Sequence, residues 1–478
     1  MSTTNYLPPE VIINGNPNIQ TDTSFITPST ICILGNINDV YPTVQNTQVL
    51  SSGSTITITD ANMITGSLTL QTTSGTVLTE NTDYTLSTDS TNSVLTVSVT
   101  NSSISQQPTI ISYQTLPADF WQPLKWWNIN TISKYYGVGW KNSVVNSPIT
   151  AAATCAFQNG ATNVCCIPYT DSTETLNLLN GGTSTGQSLS DALNTLIDED
   201  DINIIIPVNA SQTDLESVQG FINQRNSMNN PIRGIMSLDG TTTSYTTSQL
   251  VGIAGTLNSF ETLFIPNTIA QMTVNNTNVV TNQPGWCYAA ALGGLATTLK
   301  YYESMTRRTL LGFNPYNQYT STVMNTLAAG GCCVLYSHNG SFLVRQSLST
   351  YQNNLLDWSY SGVFNYLKEN IAGLLESFIG EPSTDEVLLY IKSRMQLFFT
   401  QCKENNLIYN YTTPVVTRDA NSPNVINVTF SAAWLNPIDY IQVDFTFNTQ
   451  YGTSTSSIPS SDTSDTDVSD SASASDNS

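Results

Sequence analysis

The sequence predicts a multidomain chain of mixed class: an α/β middle domain with an inserted all-β module, an α+β C-terminal domain, and extended terminal arms. Three observations lead there. Short apolar runs alternate with helical patterns between Trp121 and Gly340, as in a largely parallel sheet covered by helices. Thr/Ser-rich alternation replaces that pattern over residues 43–115, the mark of closely spaced strands. Two amphipathic helices and then two alternating strands fill the final third. At 478 residues the chain is also longer than one core usually serves.

Taken in order, residues 1–20 read as an extended arm, because Pro8, Pro9 and Pro17 punctuate a polar stretch without helical period. Ile31 to Leu34, ended by Gly35, reads as a first buried strand. The runs STITITD, GSLTLQT, DYTLSTD, SVLTVSVT and TIISYQT then build the module of residues 43–115, inserted into an α/β domain made of residues 21–42 and 116–340. Within that domain VCCIPY, INIIIPV, TLFIPN and CCVLY read as buried strands. AAATCAFQNG, SDALNTLIDEDD, TDLESVQGFINQRNS, the stretch 252–259 and AAALGGLATTLKYYE read as helices.

Residues 341–450 form the C-terminal domain. Val363, Leu367, Ile371, Leu374, Leu375 and Phe378 fall on one face of a first helix. The second begins after Pro382, where Ser383 and Glu386 have capping-box spacing. Val387, Leu388, Ile391, Met395, Leu397 and Phe398 are its expected apolar face, and Asn405 and Asn406 end it. In the last strand Ile441, Val443, Phe445 and Phe447 alternate with polar residues. Residues 451–478 hold five acids and no base among Ser, Thr and Ala, the composition of a disordered tail.

No constellation in this chain predicts covalent chemistry, a metal or a cofactor. Gly182-Thr-Ser184-Thr-Gly186 matches a nucleophile-elbow pattern, but NLLNGG before it is no buried strand and His338 is the sole histidine, so a flexible loop is expected. Asp198, Glu199, Asp200 and Asp201 lack the looped spacing that brings carboxylates onto one cation and read as a solvated helix end. The eight cysteines include the adjacent pairs Cys165-Cys166 and Cys332-Cys333 and no C-x-x-C, so zinc is not expected. Most should be reduced core residues. Cys32 and Cys402 are read as the least securely placed in a core and are the candidates for bonds between subunits after release into an oxidising medium. GVGW, ALGGLA and AAGGCC match no nucleotide loop and predict close helix-to-sheet packing. Arg307 and Arg308 are read as exposed bases rather than an intersubunit ion-pair site.

Charged residues make up 10% of the chain, against roughly 25% in ordinary domains. A surface so neutral, with 22 tyrosines, suits extensive subunit contact. The net charge is −21 and no Lys or Arg precedes Lys125, which argues against nucleic-acid binding. Residues 341–450 are nearer balance, with six basic and ten acidic side chains. MSTTNYLPPE does not look like a signal peptide, and no run approaches the ~18 apolar residues of a membrane span. Synthesis in a cytoplasm without membrane insertion is therefore expected.

The blocks WSYSGVFNY, LLESFIGEPST, NVINVTFSAAW and IDYIQVDFTF, preceded by YGVGWKNSVVNSPITAAATCAFQNGATNV, DINIIIPV, PGWCYAAALGGLA and NTLAAGGCCVLY, follow an order that resembles the contractile tail sheath proteins of myovirus-type bacteriophages. The resemblance covers most of residues 21–450 and is weaker over 43–115. It implies a non-enzymatic virion protein that polymerises helically around a tail tube and contracts to drive the tube through the host envelope. It further implies that residues 341–450 face the tube and neighbouring subunits, and that terminal arms join subunits by strand exchange. The implied partners are copies of itself, the tail tube protein, and baseplate and tail terminator proteins. A phage-derived bacteriocin or injection particle is the alternative within this class. A secreted serine esterase using Ser184 and His338 is the alternative outside it.

Overall fold

A computed structural model describes residues 30–37, 41–104, 106–172, 175–274, 279–405, 407–422 and 424–434. The expected arm over 1–20, the strand with Ile441 to Phe447 and the acidic tail over 451–478 lie outside these residues.

The centre is a six-stranded sheet in the order Thr262–Ile265, Arg233–Ser237, Ile204–Val208, Ile31–Asn36, Val164–Tyr169, Leu124–Trp126. The first five run parallel and the last is antiparallel. Ile31–Asn36 is central and wholly buried, which explains its lack of polar alternation. Its side chains divide between two cores by the period of two. Ile31 and Ile33 join helices Pro148–Gln158 and Trp286–Ala296 on one face. Cys32 and Leu34 join helices Leu189–Thr195, Gln212–Ser227, Thr247–Leu257 and Ser321–Ala329 on the other. Local sequence starts these helices: Ser147 caps one with Pro148 in its first turn, while Ser211 with Asp214 and Thr246 with Gln249 form capping boxes.

Glycine sets two close approaches. A Cβ at Gly294 would lie 2.1 Å from the Ala156 carbonyl oxygen, and one at Gly35 would lie 2.3 Å from Ile149 Cγ1. Gly35 therefore does not end the first strand, which runs on to Asn36. ALGGLA packs helix on helix through Gly294 as well as helix on sheet through Gly293, whose Cβ would meet Ile206. The Trp286–Ala296 helix stops short of the predicted TTLKYYE, because Thr297 and Thr298 turn their hydroxyls back onto the carbonyls of Gly294 and Leu295. Cys332 and Cys333 precede the strand Leu335–His338 instead of belonging to it. Cys333 covers the sheet edge by donating its N–H to Phe264 O at 2.8 Å, and Thr350 does the same to Thr262 O at 2.9 Å.

The Thr/Ser-rich stretch forms two antiparallel sheets. One is ordered Thr43–Leu50, Gln107–Gln114, Thr69–Thr72, Val77–Leu78, the other Thr55–Ile58, Val94–Val99, Tyr84–Asp89. They share a separate core around Leu70, Val97 and Ile111. The chain enters and leaves side by side, with Thr115 N–H donating to Pro42 O at 2.9 Å. A finger from the α/β layer reaches into this core. It is the hairpin Thr175–Asn177 with Thr183–Thr185, whose loop residue Leu179 is buried there.

Among the described residues no helix is long and apolar enough to cross a membrane.

Candidate assembly surface

Helices Ser359–Glu376 and Asp385–Glu404 lie beside the antiparallel pairs Asn410–Tyr411 with Ala432–Ala433 and Val415–Arg418 with Ile426–Thr429. Their shared core contains Val363, Leu367 and Ile371 from the first helix and Ile391, Met395, Phe399 and Cys402 from the second. The N-cap of the second helix is Thr384, whose hydroxyl accepts from Val387 N–H. Ser383, expected in that role, instead accepts the Arg418 guanidinium through its carbonyl at 2.8 Å and its hydroxyl at 3.0 Å. Arg418 also pairs with Asp385 at 2.7 Å. The strand pair is thus tied to the start of the helix, by a surface contact that contributes little energy.

Beyond that core the second helix remains apolar on another side. Leu389 is 64% exposed and Leu397 53%, and Tyr390 lies open between Phe378 and Arg394. Leu397 was expected in the core. It falls off the Ile391–Met395–Phe399 stripe and faces outward. Ile379, Tyr409 and Val415 are exposed in the same segment. A helix apolar on more than one face calls for a second partner. The strands add to this. Among the described residues Val415–Arg418 and Ile426–Thr429 pair only with each other. VLLYI in the sequence, with apolar residues at consecutive helical positions, was the signal that the periodic reading passed over.

Polar groups join this region to the central sheet. Arg233, on a sheet strand and 3% exposed, stacks its guanidinium 4.0 Å from the Trp358 ring centroid and 5.4 Å from that of Tyr301. Burial lowers its pKa to about 10. Gly362 makes room for it, since a Cβ there would sit 2.8 Å from Arg233 Nη1. Trp358 Nε1–H donates to Glu261 O at 2.8 Å, and Asp357 Oδ2 accepts from Ser304 and Ser347 at 2.6 Å each.

Ser184 and His338 belong to separate hairpins. Ser184 sits in the antiparallel hairpin opposite Leu176, not in a flexible loop and not at a strand-to-helix turn. His338 belongs to a different hairpin, opposite Ser341. The acidic run follows a helix that stops at Thr195, with Asp198, Asp200 and Asp201 exposed, and three of its carboxylates are engaged. Lys125 bridges Glu199 and Asp201 at 2.8 Å each. Asp200 accepts from Asn230, which holds the fully buried Arg225. Among the described residues no three His, Cys, Asp or Glu side chains could hold a metal ion. All eight cysteines are buried, Cys32 and Cys402 included, which overturns the reading of those two as exposed thiols. The neighbouring Cys165 and burial push the Cys32 thiol up, and burial pushes that of Cys402 up to about 12, so neither is a reactive thiolate. Arg307 is exposed but donates to the Tyr336 hydroxyl.

Residues 352–448 match a family described as the phage tail sheath C-terminal domain. A tail sheath protein of Mycobacterium phage Bxz1 is 23% identical over 357 residues, which are 73% of this chain and 60% of that protein. The chain therefore spans 60% of the length of the curated relative it matches. Among solved structures, the helical sheath of the anti-feeding prophage in its contracted state aligns over 93% of this chain and 99% of its own, at 11% identity and a TM-score of 0.51. The contracted sheath of the extracellular contractile injection system PVC aligns over 94% and 99%, at 8% identity and 0.53. A chain of the anti-feeding prophage baseplate aligns over 70% and 90%, at 12% identity and 0.53. At such identities these likenesses establish a common fold.

Proposed function

We propose that this chain, a phage tail sheath protein by the domain at residues 352–448, is the structural subunit of a contractile tail. It polymerises helically around a tail tube and contracts to drive the tube through the host envelope. The observation that carries this reading is the coincidence of that domain with a fold likeness to contracted sheaths over more than nine-tenths of the chain. The function is mechanical, and no residue is assigned to catalysis, a cofactor or a metal.

In this reading residues 341–450 face the tube and neighbouring subunits, and residues 43–115 form a module on the outside of the cylinder. The exposed apolar helix face supports the first assignment, as does the pair Val415–Arg418 and Ile426–Thr429, which has no third strand among the described residues. The adjacent entry and exit at Pro42 and Thr115 support the second. The arm of residues 1–20 and the strand over 438–447 complete sheets in adjacent subunits by strand addition. A contact of this kind joins different surfaces on successive copies and generates an open helix. The extended polymer lies above the contracted one in free energy and is held by a barrier and by its tube and baseplate contacts. Tail tube, baseplate and tail terminator proteins are the further partners, and the virion tail is the location, after assembly in the host cytoplasm.

A phage-derived injection particle is the second reading, favoured by the sources of the two contracted sheaths that align here. Negative-stain imaging of the purified chain tests both, because both require hollow cylinders. A folded chain that stays monomeric at every salt, pH and protein concentration tried would overturn them together.

A further inference from the structure

One surface outside the C-terminal core carries charge against the trend of the chain. Net charge is −21 and Lys and Arg together number 14, yet Arg307, Arg308 and Arg345 meet on one small antiparallel unit. In it Leu343 bridges Thr309 on one side and pairs with Tyr336 on the other. Arg307 and Arg308 both oppose the single residue Val344: Arg307 N–H donates to Val344 O at 2.8 Å, and Val344 N–H donates to Arg308 O at 3.0 Å. Two residues against one make a β-bulge, a device that re-aims side chains. Its first residue, Arg307, has a φ of 66°, where glycine is favoured and a longer side chain is uncommon.

Two of the guanidinium groups are held in place. Arg307 donates to the Tyr336 hydroxyl and lies 5.5 Å from the centre of that ring. Phe342 and Val344 enter the core, so Ser341, Leu343 and Arg345 take the outward face. Arg345 Nη2 donates to Asn325, while its Nη1 is buried without an acceptor among the described residues. Arg308 is exposed, and its side chain has no partner among the described residues. None of the three forms an ion pair among those residues.

This face and the acidic run lie at opposite ends of the central sheet. Leu335, which starts the hairpin, exchanges two hydrogen bonds with the side chain of Asn267, two residues past the carboxyl end of Thr262–Ile265. Asp198 to Asp201 instead precede the amino end of Ile204–Val208. Lys125 and the buried Arg225 offset only part of the four carboxylates there. Asp198 itself is exposed, with no hydrogen bond or ion pair among the described residues.

We propose that the arginine face of one copy docks on the acidic run Asp198–Asp201 of a second copy, as a head-to-tail contact. The proposal rests on the sheath reading, which requires copies to associate. Complementary surfaces at opposite ends of a sheet join successive copies and leave both ends open, so the contact repeats without closing. Exposed ion pairs contribute little energy one by one. Opposed clusters of charge set orientation and reject wrong approaches, because like charges brought together are costly. An arginine kept at a backbone position that favours glycine is accounted for by a carboxylate on the partner.

Charge reversal on the full chain tests this, with association read by sedimentation velocity and particle form by negative stain. R307E/R308E and D198R/D201R should each raise the protein concentration at which association begins by about tenfold or more. An equimolar mixture of the two should restore it, since each reversed surface then meets its complement on the other copy. K134E/K141E, which reverses two exposed bases elsewhere, should associate like wild type. Unchanged association in R307E/R308E would overturn the contact, as would a mixture that fails to recover or an equal loss in K134E/K141E. Should a double variant fail to fold, R308E alone decides, because its side chain gives up no contact within the chain. Wild-type cylinders beside an indifferent R308E would sink this contact and leave the sheath reading standing. Charge-dependent association into particles other than cylinders would do the reverse, and a wild type that never associates would end both.

Discussion

Leu179 offers a direct measure of how the β module is coupled to the rest of the chain. The side chain is 1% exposed and sits in the module's core, although it comes from a hairpin of the α/β layer. Around it the backbone is stitched to the module: Leu179 N–H donates to Met63 O at 2.9 Å, Asn180 N–H to Ala61 O at 3.2 Å, and Thr65 N–H to Asn177 O at 2.9 Å. Leu179→Ala leaves those bonds in place and removes the apolar plug, which costs about 3 kcal/mol within the 2–5 kcal/mol of buried Leu→Ala changes. If the module opens as its own cooperative unit, that cost appears as faster exchange there, about 10²-fold at 1.36 kcal/mol per decade. Hydrogen exchange should show this in Val94–Val99 and Gln107–Gln114, with Ile31–Asn36 and Val164–Tyr169 unchanged. Equal acceleration in the central sheet would refute the reasoning, for it would make the two cores one unit. No acceleration anywhere would refute it as well, for it would mean that Leu179 contributes no packing.

Gly294→Ala should destabilise the chain by about 1–3 kcal/mol or more in a urea titration, because its Cβ would meet backbone atoms of Ala156 that cannot turn aside. Leu389→Ser with Leu397→Ser should leave monomer stability within about 1 kcal/mol, since both side chains are already in solvent, and abolish cylinders in negative stain. Deleting residues 43–115 should spare polymerisation if Leu179, left bare by the deletion, is also replaced by Ser; folded monomers that never form tubes would assign the module to the lattice. Deleting residues 2–20 should give a folded monomer that does not polymerise, whereas removal of 451–478 should change little, both read by sedimentation and imaging.

Periodicity carried much of the fold and failed where a second force competed with it. Ile31–Asn36, Val164–Tyr169 and Ile204–Val208 were legible because strands buried on both faces lose their polar residues altogether. The alternating strands of the β module were legible for the opposite reason. Helix ends were less so. Thr297 and Thr298 look like ordinary polar continuations of an apolar helix, and their hydroxyl bonds back to the last turn appear only in three dimensions. Ser383 and Thr384 are adjacent and both able to cap, and the tertiary partner Arg418 decides between them. Cys32 and Cys402 were misjudged because context within the sequence says little about the strand or helix packed across a core.

The candidate surface was hidden by the same logic that found the core. A helical wheel assigns apolar residues to one inward face, so Leu397 was counted inward and Leu389 and Tyr390 were left without a role. Their exposure becomes meaningful beside the neighbouring strands, which have no third strand among the described residues. The two requirements differ in kind. An apolar face is tolerant of sliding, since burial depends on area more than direction. A strand edge is not, because its hydrogen bonds fix register residue by residue. A polymer that must repack without falling apart needs one contact of each type: a directional strand tether that persists, and apolar faces that exchange neighbours around it. The C-terminal region of this chain holds the elements of both within a single core, so cutting the tether and polarising the apolar face should fail differently. Loss of the arm should prevent tubes from forming at all. Partial polarisation, Leu397→Ser alone, should allow tubes whose extended form is less or more prone to contract than wild type. Identical extended-to-contracted ratios in the single variant and wild type would show that this face does not take part in the rearrangement.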